Sequence, residues 1–176
     1  MAEVVTRTLI EGLPVNVSSA GTSVGHPAPS PKKTLKAASA LGYDLGEHRS
    51  RPLDDAELEA ADLVVGFEIA HVAAVVIERN ADRGKTWLLP QLVGMLERAP
   101  AERPSDSDDL VTLARARLAA ADGQRSSASP MLGDQIADPI GRSARVHQAT
   151  AGTIDDLCKR MVPLLLTGTR AIEGDR

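Results

Sequence analysis

Hydrophobic and polar positions in the first segment follow a helix: Met1, Val4, Val5, Thr8 and Leu9 lie on one face at helical spacing until Leu13-Pro14 ends the pattern. No Ser, Thr, Asp or Asn precedes this helix to take its free N–H groups. That fits either a frayed first turn or a chain that begins inside a helix. Val15 to Ala20 alternates like a short strand. After a proline-rich loop, Ser30 as N-cap and Pro31 at the first helical position start a helix through Leu35, Ala38 and Leu41, with Gly42 as its C′ residue. Asp54 to Ala61 reads as a short helix with its acids in the favourable first turn. Leu63 to Phe67 is a nearly continuous apolar run, the signature of a strand covered on both faces in a parallel sheet.

A helix from Ile69 to about Arg79 follows, then turn residues Asn80 to Gly84, then a strand Thr86 to Leu89 stopped by Pro90. Gln91 to Ala99 and Asp108 to Ala121 read as helices separated by a loop at 100–107, and 123–137 as a Ser- and Gly-rich loop. The last helix has the most regular stripe, Ile154, Leu157, Cys158, Met161, Val162 and Leu165, with Pro163 breaking or kinking it. Strands alternating with helices predict an α/β fold: an open parallel sheet with helices on both faces. The expected organisation is one domain over residues 1–166, including a long helical and loop segment at 91–137, and a C-terminal tail at 167–176.

Composition narrows the function. The 176 residues are 43% hydrophobic and 25% charged, as in an ordinary globular domain, and the net charge of -4 offers no basic field for nucleic acid or an anionic membrane. Tyr43, Phe67 and Trp87 are the only aromatics, too few for a base-stacking platform. The N-terminus lacks the basic-then-apolar layout of a signal peptide, and no apolar run is long enough to span a membrane. A cytoplasmic location is therefore expected, and the single cysteine agrees with it.

That cysteine, Cys158, lies on an apolar helical stripe and reads as a small core hydrophobe. Leu164 stands six positions on, so no C-x-x-x-x-x-R phosphate loop starts there. His26, His48, His71 and His147 show no metal-ligand spacing, and neither metal nor cofactor is expected. His48 reads as a residue that hydrogen-bonds a neighbouring loop or strand end. Arg49 and Arg51 are solvated, pair with acids such as Asp44 and Glu68, or frame an anion site. Asp138, before Pro139, is a carboxyl on a stiffened turn: either a plain Asp-Pro turn or a general acid.

Taken in order, Met1-Ala2-Glu3, Val17-Ser18-Ser19-Ala20-Gly21-Thr22, His48-Arg49-Ser50-Arg51-Pro52-Leu53, Ala61-Asp62-Leu63-Val64-Val65 and Asp138-Pro139 resemble the low molecular weight protein tyrosine phosphatase family, bacterial type. The likeness runs to about Leu165. It implies phosphomonoester hydrolysis through a phosphocysteine, with Asp138 as the acid and Ser19 supporting the phosphate loop. It implies as partner a phosphorylated protein or a small phosphomonoester. In the family the loop V-C-x-G-N-x-x-R-S-P directly precedes M-A-E, so nucleophile, phosphate-binding arginine and first strand would lie before Met1. The chain as given is expected to be inactive, and destabilised or rearranged by the lack of a central strand, unless something supplies it. Ile140 stands where the family commonly has an aromatic residue lining the substrate cleft, and 91–133 is longer than in compact members.

Two alternatives accompany this reading: a non-enzymatic remnant or binding module, and an arsenate reductase on the same fold. The second needs further redox-active thiols, and Cys158 is the only thiol.

Overall fold

A computed structural model describes residues 1–99, 109–125 and 135–166. The predicted loop at 100–107, most of the one at 123–137 and the tail at 167–176 lie outside them. The chain forms two compact units, one of Met1–Glu57 and Ala137–Cys158, the other of Leu58–Ile136 and Lys159–Arg176.

In the first unit, α1 (Ala2–Leu9) buries Val5 completely, and α2 (Lys32–Ser39) buries Ala37 and Ala38. The residue that caps α2 is Pro31, not Ser30: Pro31 has φ -58° and ψ 146°, and its carbonyl accepts from Leu35 N at 3.0 Å. Gly42 takes φ +86° just past this helix, and Tyr43 N returns to Ala38 O at 3.0 Å, the left-handed ending that glycine permits.

Val15–Ala20 is not a strand. A strand exists only through a ladder, and among the described residues the segment pairs with none; an isolated bridge, Gly21 to Pro52, forms only after its end. Arginines take over its carbonyls. Arg7 donates to Val17 O from Nε (2.9 Å) and Nη2 (2.7 Å), and Arg51 Nε donates to Ser19 O (2.8 Å). The helix expected over 54–61 shrinks to a 3-10 turn, Leu53–Asp55, that buries nothing. So short and polar a segment, without a buried face, does not recover the cost of helix nucleation.

The second unit is an α/β layer. Strands β1 (Val64–Gly66) and β2 (Thr86–Leu88) pair in parallel, Val65 opposite Trp87. Thr86, Trp87 and Leu88 are all essentially unexposed, so β2 is covered on both faces. The crossover is α3 (Ile69–Ala73), which continues as a π-helical turn over Ala74–Glu78 where β-branched Val75, Val76 and Ile77 follow one another. Pro90 does not simply stop β2: it sits in the first turn of α4 (Leu89–Arg98), where its missing N–H costs nothing. Asp109 caps α5 (Leu110–Gly123) through Val111 N and Thr112 N, both at 2.9 Å.

The final helix, α6 (Ala144–Leu166), contributes its residues up to Cys158 to the first unit and those from Lys159 to the second. Pro163 lies inside it. Buried Arg117 donates to Leu164 O, a carbonyl in the last turn of this helix.

Candidate functional site

Asp138, Ser19 and His48 fall in the first unit, at two places. The first is the turn before α6. Asp138 Oδ1 accepts from Ile140 N (2.8 Å), and Arg142 N closes the turn onto Pro139 O (2.9 Å) with Gly141 at φ +79°. The local sequence explains this shape. Aspartate bonds the backbone two residues on, proline fixes its own φ, and glycine takes the position that requires positive φ. The carboxyl is held in an exposed position, next to Ile140, which is 67% exposed.

The second place is centred on Glu3, in the first turn of α1, whose side chain is only 10% exposed. Ser19 Oγ donates to Glu3 Oε2, Arg7 Nη2 lies 2.9 Å from Oε1, and His48 Nδ1 lies 3.6 Å from Oε2. Burial lowers the pKa of His48, the nearby α-amino group adds to this, and Glu3 opposes both. Because the Ser19 hydroxyl gives its proton to a carboxylate rather than to an imidazole nitrogen, the arrangement is not a serine-nucleophile triad. It fixes the start of α1 to the Ser18-Ser19 segment. Of the residues involved, sequence reading named Ser19 and His48 but not Glu3 as the centre. The one local signal was the i, i+4 pair of Glu3 and Arg7.

The loop arginines take backbone and hydroxyl partners rather than framing an anion. Arg49 Nη1 donates to Gly46 O (2.7 Å) and His48 O (3.0 Å), and Arg51 Nη2 donates to Ser18 Oγ (2.8 Å). Asp44, expected as an arginine partner, instead accepts from Gly46 N at 2.7 Å. Cys158 is 1% exposed, and burial pushes its thiol pKa up. A protonated thiol inside a helix core is a poor nucleophile. Among the described residues no three His, Cys, Asp or Glu side chains converge as metal ligands, and no helix is long and apolar enough to cross a membrane.

A family model, low molecular weight phosphotyrosine protein phosphatase, matches residues 1–105. The chain belongs to that family. No curated protein sequence matches it. Among solved structures it is similar to the tyrosine phosphatase amsI of Erwinia amylovora, at 17% identity and TM-score 0.64, covering 93% of this chain and 82% of that one. It is also similar to the low molecular weight protein tyrosine phosphatase from T. tengcongensis, at 19% identity and TM-score 0.63, covering 89% and 84%. A third similar structure is the YwlE arginine phosphatase from Geobacillus stearothermophilus, at 19% identity and TM-score 0.60, covering 89% and 77%. These likenesses show the fold: an α/β architecture with a parallel sheet.

Proposed function

We propose that this protein carries the acid half of a phosphomonoester hydrolase, acting on a phosphorylated protein or a small phosphomonoester, with Asp138 as the general acid. In the family reaction a cysteine thiolate attacks phosphorus and the bond from phosphorus to the ester oxygen breaks. The departing oxygen takes the proton of the aspartic acid. The resulting carboxylate then takes a proton from water, whose oxygen displaces the thiolate and releases inorganic phosphate. Asp138 suits both proton transfers, because its exposed carboxyl is held at a fixed place by Ile140 N. That turn is the observation on which the reading rests.

Residues 1–176 do not hold the other half. Their only thiol is Cys158, buried in α6 and followed at the sixth position by Leu164 rather than arginine. On this reading, residues 1–176 on their own do not turn over a phosphomonoester. Reading the coding DNA immediately upstream of the Met1 codon tests this. An in-frame V-C-x-G-N-x-x-R-S-P supports a full hydrolase, and a stop codon between that region and Met1 contradicts it.

A further inference from the structure

Acidic residues are spread unevenly over the chain. It has 24 Asp and Glu against 20 Lys and Arg, yet residues 12–43 and 139–154 contain no acid at all. The fold brings cations from these two segments together. Lys33 Nζ, in the first turn of α2, donates to Arg142 O at 2.6 Å, and Thr34 Oγ1 meets His147 Nδ1 at 3.3 Å, so the first turns of α2 and α6 lie side by side within the first unit. Lys32, Lys33, Arg142 and Arg145 are all exposed there. Among the described residues, none of them forms a salt bridge.

Apart from the bond from Lys33 to Arg142 O, the charges placed here do not serve stability. Cations in a first turn oppose the helix dipole, and like charges brought together repel. Neither helix has an acid in its first turn to offset this. Such a local conflict is expected where a surface has another task. Two exposed apolar side chains flank Arg142 and Arg145 in sequence, Ile140 at 67% exposure and Val146 at 41%. Asp138 lies in the same turn, four residues before Arg142.

We propose that this surface docks an acidic segment of a protein partner, carboxylates on Lys33, Arg142 and Arg145 and an apolar side chain against Ile140 and Val146. Resting on the reading of Asp138 as the general acid, the segment is the acidic flank of a phosphorylated site, held beside the turn that delivers the proton. Charge complementarity supplies the attraction. Ile140 and Val146 favour a peptide over a nucleic acid, which would need aromatic stacking surfaces that the patch lacks.

The test is fluorescence anisotropy of a labelled, unphosphorylated Glu- and Leu-rich peptide titrated with residues 1–176, so no turnover is required. The peptide is expected to bind saturably and more weakly as salt rises, and Arg145→Glu or Lys33→Glu should weaken it about fivefold. Arg98→Glu, an equal charge change at an exposed position in α4, should weaken it less than about twofold. Ile140→Ser should also weaken it. Absence of saturable binding overturns the proposal. So does equal weakening by Arg98→Glu and Arg145→Glu, or equally tight binding of a single-stranded oligonucleotide of the same net charge. Circular dichroism of each variant excludes unfolding as the cause of lost binding. If the peptide binds as described while Asp138 proves dispensable in an active full-length form, the acid assignment alone fails. If Asp138 acts and the peptide does not bind, the docking surface alone fails.

Discussion

The guanidinium carbon of Arg125 stands 3.1 Å from the centroid of the Trp87 ring. Arg125 Nη1 donates to Arg83 O (2.7 Å) and Nη2 to Thr86 O (3.0 Å), so one side chain beyond the end of α5 covers the buried face of β2. Burial, with Arg83 nearby, brings its pKa down to about 10. Arg125→Ala should cost about 2 kcal/mol through the lost cation–π contact and carbonyl bonds. Trp87 is the only tryptophan, so its fluorescence reports the unfolding transition and the local change together. Arg125→Lys should recover part of the loss, because an ammonium lacks the planar fork that reaches both carbonyls. Unchanged stability in the alanine variant would show that α5 does not depend on this clamp.

A second prediction concerns pH. Burial lowers the folded-state pKa of His48 from the ordinary 6.5, so the unfolded chain binds the proton more readily. The associated stability is fully present above the ordinary value and is lost as pH falls from there through the lowered folded-state pKa. Denaturant midpoints measured across this window should fall with pH, and His48→Gln should flatten that part of the curve. An identical slope in the variant would assign the pH dependence to other groups.

Tyr43 supplies a third. Its hydroxyl donates to Asp155 at 2.7 Å, and Asp155 is buried in α6. Tyr43→Phe removes that donor while keeping the ring, and should cost about 1 to 3 kcal/mol in chemical denaturation. A change within a few tenths would mean that the other contacts of Asp155 suffice.

Much of the fold was legible where a pattern is local. The stripe from Ile154 to Leu165 announced α6, and the apolar run around Val65 announced β1. The start of α6 at Ala144 was not legible. Residues 144–153 carry little apolar periodicity, and His147 is buried there with its partner Thr34 far off in sequence. Val15–Ala20 misled for the opposite reason, since its alternation is right for a strand but pairing depends on a distant neighbour. The turn that holds Asp138 was legible in Asp-Pro-Ile-Gly. The place of Glu3 was not, because Ser19 and His48 reach it only through tertiary folding.

The acid assignment yields a fourth prediction, for a form that carries the cysteine loop. Asp138→Asn should slow hydrolysis of esters with poor leaving groups about 100-fold or more, and of good ones far less, because only a poor leaving group needs the proton. Rates for a series of aryl phosphates check this. Equal slowing across the series would remove Asp138 from the role.

The most direct measurement is hydrolysis of a small aryl phosphate by purified residues 1–176 beside the Cys158→Ala variant. With Cys158 buried in α6 and no other thiol in the chain, both should match the buffer background. Turnover by the unaltered chain that disappears in the variant would contradict the account, since it would make the buried thiol the nucleophile.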